Sequence, residues 1–166
     1  MSIERLWAGW RSQYLRDVTD PARPPGECVM CGLSGAPDDD EAFVVARGEY
    51  AFVVLNAYPY TSGHLMVVPN RHEGHLELLG PYEAAEVMAL TQWTVAALKR
   101  AYRPDGVNVG MNLGAAAGAG IPGHLHVHVL PRWHADTNFM TAVAETRVIP
   151  EPLGETLERL RAVWDG

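Results

Sequence analysis

The chain reads as an α+β domain built on an antiparallel sheet of about five strands, with one long helix and shorter helices towards the termini. Three observations predict this. Short β-branched and aromatic runs recur through the middle of the chain, and turn residues separate them. A single stretch, 81–102, carries helical periodicity over several turns. The links between the strand-like runs are hairpin-sized, without the repeated helical crossovers that a parallel sheet requires.

From the N-terminus, residues 4–15 place Leu6, Trp7, Trp10, Tyr14 and Leu15 at helical spacing, a short amphipathic helix. Pro21, Pro24, Pro25 and Gly26 end that periodicity, Cys28 and Cys31 sit in a tight turn, and 37–41 form an acidic exposed loop. Residues 1–41 therefore read as an extension with little core of its own, and 42–166 as the single globular unit. Runs 42–46 and 50–55 flank Gly48-Glu49 as a hairpin, a loop covers 56–63, and 64–69 is a buried strand. In the long helix Ala85, Val87, Met88, Leu90, Trp93, Val95 and Leu98 are the expected inner face, with Pro81 in the first turn. Arg103-Pro104-Asp105-Gly106 ends it. Strands come next over 107–113 and 124–130, the second stopped by Pro131 and separated from the first by a Gly/Ala loop, and a helix closes the chain over 153–164.

Composition narrows the function. The chain has 166 residues and a net charge of −7, which disfavours a general nucleic-acid binder, because such proteins need a basic face to displace counterions. No run approaches the ~18 apolar residues of a membrane span. The N-terminus lacks the basic and apolar regions of a secretory signal, so the expected compartment is the cytoplasm. The pair Cys28-Val29-Met30-Cys31 then reads as metal or redox chemistry, not as a disulfide framework.

The chemistry concentrates in His124-Leu125-His126-Val127-His128. On a strand, alternate side chains share a face, so the three imidazoles line one side while Leu125, Val127 and Val129 pack on the core. Three of the seven histidines in five positions exceed what a solvated polar row would need. Imidazole serves as nucleophile or acid–base near neutral pH, or as a metal ligand. The preceding loop, 114–120, consists of Gly and Ala, which lets backbone N–H groups approach an anion. Cys-x-x-Cys is half of a zinc site. A redox reading needs a thioredoxin-like setting that is absent, and an inert buried pair is the plain alternative. Two further ligands would close a tetrahedron. His72 and His124 are the candidates, with His75 as an alternative to His72.

With these residues in view, the chain resembles the histidine triad family. His124 through Leu130 match its His-φ-His-φ-His-φ-φ pattern; 55–69 resemble its upstream loop and strand, and 108–114 the strand and phosphate loop before the triad. Pro131-Arg132-Trp133 with Asp136-Thr137-Asn138-Phe139, and the N-terminal segment, resemble the branch containing bacterial diadenosine tetraphosphate phosphorylases and related hydrolases. The resemblance implies that His126 attacks an α-phosphorus to form a covalent nucleotidyl-histidine. It implies that His128 contacts the phosphates, Asn56 the ribose hydroxyls and Asn112 a phosphate or leaving-group oxygen. His64 would be a nucleotide-contact or supporting residue, and the loop at Gly118 and Gly120 would stabilise the oxyanion. It also implies one structural Zn2+ held by Cys28, Cys31, His72 of the Arg71-His72 pair and His124, and a homodimer. Phosphorylases of that branch carry a serine four residues before the first triad histidine, where this chain has Gly120. Hydrolysis is therefore the favoured expectation, with phosphorolysis of diadenosine tetraphosphate as the alternative. A non-catalytic nucleotide-binding module is the rival of another class.

Overall fold

A computed structural model describes residues 28–134, 136 and 151–164. The expected helix over 4–15 and the 137–139 part of the downstream motif lie outside them. The elements are α1 (Val29–Ser34), β1 (Val44–Arg47), β2 (Ala51–Leu55), β3 (Leu65–Pro69), α2 (Pro81–Tyr102), β4 (Gly106–Gly110), β5 (Val127–Arg132) and α3 (Leu153–Arg161). The five strands form one sheet in the order β1-β2-β3-β5-β4, every pair antiparallel, which is the α+β architecture expected. Among the described residues no helix is long and apolar enough to cross a membrane.

Strand alternation divides the core in two. Ala51, Val53, Leu55, Leu65, Val67, Val127 and Val129 face α2 and α3, where Leu90, Leu98, Leu157 and Leu160 complete the larger cluster. Phe52, Val54, Met66 and Val68 face the opposite way and pack with Cys28, Met30 and Val44. Even-numbered positions of β5 thus point away from the long helix. His128, paired with Met66 of β3, lies on that second face.

Several boundaries differ from the sequence reading. The Cys-x-x-Cys segment is a short helix with Cys28 at its N-cap, not a tight turn; positions three apart share a helical face, so both thiols point one way. β4 ends at Gly110 because its antiparallel partner begins there, with Gly110 opposite His128. β5 starts at Val127, three residues later than expected, and runs through Pro131. The proline is accommodated because the β3 ladder has already ended at Leu65↔Val129, leaving β4 as the strand's neighbour. α3 ends at Arg161, and just beyond it the Arg100 guanidinium donates to the Val163 carbonyl.

The inner face of α2 is also rotated from the expected one. Val87, Leu90, Thr91, Thr94, Ala97 and Leu98 are buried, whereas Ala85, Met88 and Trp93 are exposed. Met88 and Trp93 sit about 100° around the helix from Val87 and Thr94. The two threonines go inside because each hydroxyl donates to the carbonyl four residues back, Val87 and Leu90, at 2.7 Å. Glu83 reaches back to the Gly80 N–H at 2.7 Å and starts the helix.

One turn further along α2, the Glu86 carboxylate accepts the N–H groups of Glu49 (3.0 Å), Tyr50 (2.5 Å) and Ala51 (2.7 Å), clamping the β1–β2 turn to the helix. The close approach requires glycine at 48, since a Cβ there would lie 2.7 Å from the carboxylate. Glu86→Ala strips the acceptor from three donors at once and is expected to cost about 1–3 kcal/mol. At ~2–4 °C per kcal/mol, the melting temperature should fall by roughly 2–12 °C. Amide exchange should accelerate selectively at residues 49–51; protection there equal to the parent protein would refute the clamp.

Candidate active site and metal centre

β3, β5 and the irregular segments leading into them carry the functional side chains. His124, Leu125 and His126 precede the β5 ladder, and both histidines are buried, at 1% and 5% exposure. This corrects the expectation of an open imidazole row along one strand. The chain here is held by loop contacts instead of sheet pairing. Only His128 of the three belongs to the ladder, and it is half-buried.

His126 donates its Nδ1–H to the His124 carbonyl at 2.8 Å. Its other nitrogen, Nε2, therefore carries the lone pair. Burial pushes its pKa below the ordinary imidazole value, against the opposing pull of that carbonyl, so the ring is neutral near pH 7. His128 sits edge-on to it, ring centres 4.9 Å apart.

A second chain of contacts orients His128. The Tyr60 backbone N–H donates to His64 Nδ1 at 3.1 Å, and the Asn56 amide approaches the same atom at 3.3 Å. In the neutral ring the His64 proton is then on Nε2, which lies 2.9 Å from His128 Nδ1. Donation across that contact leaves the His128 proton on Nε2. Tyr60 covers His64 at 4.8 Å between ring centres. Asn56 is buried, its carboxamide oxygen accepting the Tyr58 N–H at 2.9 Å, so it organises the loop as well as facing His64. Asn112 donates to the Gly118 carbonyl at 3.4 Å and closes the loop after β4. That loop leaves the sheet beside His128, because Gly110 is its register partner; Gly118 and Gly120 stand exposed and half-exposed on it.

Cys28, Cys31, His72 and His124 converge, their donor atoms all within 4.8 Å of one another. Cys28 Sγ lies 3.5 Å and Cys31 Sγ 3.6 Å from His124 Nδ1, and Cys31 Sγ lies 3.2 Å from His72 Nδ1. In a tetrahedral zinc site, bonds of about 2.3 Å to sulfur and 2.0–2.1 Å to nitrogen put the two donors roughly 3.6 Å apart, so this donor set fits. His124 Nε2–H donates to the Pro69 carbonyl at 2.9 Å, which leaves Nδ1 bare and aimed at the thiols. Burial and the adjacent Cys28 thiol push Cys31 up to about 11, a shift that a cation between the two sulfurs would reverse. His75 instead pairs with Glu73 at 3.1 Å and stands outside the group. His72 is held from the helix side: neighbouring Arg71 makes paired contacts of 2.9 Å to the Glu83 carboxylate, which pulls that acid down to about 2.

The sequence reading found the imidazoles and thiols but assigned nothing to Tyr60, Pro69 or Glu73. Their contributions come from main-chain N–H and C=O groups, which no residue type advertises.

A model of the HIT domain family matches residues 38–135. A protein of Mycobacterium tuberculosis strain H37Rv named AP-4-A phosphorylase is 43% identical over 171 residues, covering 98% of this chain and 85% of its own. A fission yeast protein, Schizosaccharomyces pombe bis(5'-nucleosyl)-tetraphosphatase (asymmetrical), is 30% identical over 104 residues, covering 63% of this chain and 56% of its own. The crystal structure of a Zn-bound histidine triad family protein from Mycobacterium smegmatis superposes with a TM-score of 0.68 at 29% identity, over 84% of this chain and 94% of that one.

Proposed function

The chain belongs to the HIT domain family, and from that premise we propose that it is an enzyme cleaving dinucleoside polyphosphates or related nucleotide conjugates at the α-phosphate through a covalent nucleotidyl-His126. The observation that carries this is the 2.8 Å bond from His126 Nδ1–H to the His124 carbonyl, which presents a neutral, buried Nε2 as nucleophile. Nε2 attacks the α-phosphorus in line; the P–N bond forms as the P–O bond to the departing nucleoside polyphosphate breaks, its electron pair leaving with that oxygen. His128, polarised through His64, supplies an Nε2–H beside the phosphates. Amides of the Asn112–Gly118–Gly120 loop stabilise charge on the transferring group. Attack by an acceptor oxygen then breaks the P–N bond, and the acceptor's proton passes to solvent.

The acceptor distinguishes two versions. Gly120, with no hydroxyl, favours water. The name of the 43% identical relative favours inorganic phosphate. Diadenosine tetraphosphate without phosphate should give AMP and ATP by hydrolysis. With phosphate, phosphorolysis should give ADP and ATP at a higher rate. Mass spectrometry should find an adenylyl group on His126 in quenched reactions, and turnover without any such adduct would sink the covalent reading.

Cys28, Cys31, His72 and His124 are the residues that would hold Zn2+. Four protein ligands leave no open position, so the ion would supply structure and not an activated water. Two thiols paired with imidazoles instead of with each other suit a reducing compartment such as the cytoplasm. A homodimer is supported by β4, an edge strand with Val109 half exposed, and by exposed Met88 and Trp93 on α2.

A further inference from the structure

We propose that His124 couples the Cys28/Cys31/His72/His124 centre to the nucleophile, so that occupancy of the centre determines which nitrogen of His126 is bare. One residue bridges both sites. Its Nδ1 faces the two thiols, its Nε2–H is anchored on Pro69, and its carbonyl holds His126 Nδ1–H.

The coupling follows from where that carbonyl sits. β5 pairing begins at Val127, so no strand ladder fixes the peptide of His124. Its position is set by the His124 ring and by a contact between two segments. The Leu125 N–H donates to the Glu73 carbonyl at 2.7 Å. Gly74 lies so close to Pro122 that a Cβ would stand 2.5 Å from its carbonyl oxygen. The segment carrying His72 is thus laid against the segment carrying His124. Four ligands drawn to one cation lock the two together, with the thiol-bearing helix α1 as the third side. Without the cation, protonated thiols give His124 Nδ1 weak partners, and the ring is free to turn about its Pro69 anchor and carry its carbonyl with it. His126 then loses the acceptor that keeps its proton on Nδ1, and the Nε2–H tautomer, which cannot attack phosphorus, becomes accessible. His124 is accordingly a positioning residue, acting through its main chain.

The test uses the full chain with 15N-labelled histidine, zinc-loaded and after chelation, beside His72→Ala and the ligand-retaining His72→Cys. Imidazole nitrogen shifts should report a single Nδ1–H tautomer for His126 in the loaded protein and in His72→Cys, and a mixture in His72→Ala and the chelated protein. The rate of nucleotidyl-His126 formation from diadenosine tetraphosphate should fall ~10–100-fold in the metal-free forms while KM changes little. A single Nδ1–H tautomer persisting in folded, metal-free protein overturns the proposal. Should those forms unfold, cadmium substitution retains four ligands while lengthening the bonds; an unmoved His126 Nδ1–H proton resonance then overturns it. The kinetic arm rests on the proposed function, whereas the tautomer arm does not. Tautomer loss with no adduct in any form supports the coupling and removes the covalent reading; adduct formation at equal rates with and without metal does the reverse.

Discussion

Replacing His126 with alanine is expected to reduce turnover of diadenosine tetraphosphate by roughly 10^4–10^6-fold, the scale on which enzymes fail when a covalent nucleophile is deleted. The effect should be on chemistry. Asn56, His64, His128 and the loop at Asn112 keep their mutual bonds, so nucleotide affinity should stay within a few-fold. Folding should suffer modestly, because the deletion leaves the His124 carbonyl without its 2.8 Å partner and costs about 1–3 kcal/mol. Stopped reactions should show no nucleotidylated protein. The parent enzyme carries a companion signature in pH. The reactive form is the neutral ring, and burial lowers its pKa, so the acid limb of kcat/KM should have its midpoint below the ordinary imidazole value of 6.5. Activity in the alanine variant within tenfold of the parent would mean that His126 is not the nucleophile and that phosphorus is attacked directly by water or phosphate.

The strand pattern is legible in the sequence because residue type and period agree. Val53, Leu55, Val67, Val127 and Val129 alternate as a half-buried sheet demands, and the same alternation places the imidazole at 128 on the other face. Extending that alternation back to 124 fails, since the ladder does not reach that far and His124 and His126 are buried by bonds to thiols and carbonyls instead. The inner face of α2 is misread for a related reason. Periodicity counts Met88 and Trp93 as apolar and Thr91 and Thr94 as polar, yet a threonine that satisfies its hydroxyl within its own helix can be buried, and an edge strand and helix left uncovered keep large apolar groups outside. At the site, the ligand set is visible as two thiols three residues apart and a histidine after β3. The tautomers are not, because Pro69, Tyr60 and the His124 carbonyl fix them through main-chain atoms.

Cys28→Ser is expected to have the largest effect on stability of any single substitution outside the main core. α1 has six residues, too short to persist by its own hydrogen bonds. It is held on the sheet by Met30 and Leu33 against Phe52, Val54, Met66 and Val68, and by the group of two thiols and two imidazoles. Structural zinc contributes about 10–16 kcal/mol to folding in small zinc-finger peptides, where nothing else orders the chain. Here the apolar contacts and the β-sheet exist without it, so a fraction of that, about 3–5 kcal/mol, is at stake. At ~2–4 °C per kcal/mol, chelation of the purified protein should lower its melting temperature by roughly 6–20 °C. Cys28→Ser should reproduce that loss without chelator and should make the melting temperature insensitive to it, because a serine hydroxyl keeps its proton and is a poor zinc ligand. The two halves of the prediction check each other. A serine variant that loses stability while the parent is indifferent to chelation would show that Cys28 acts by packing, as its burial among Met30 and Phe52 also allows, and would remove the metal from the account of this fold.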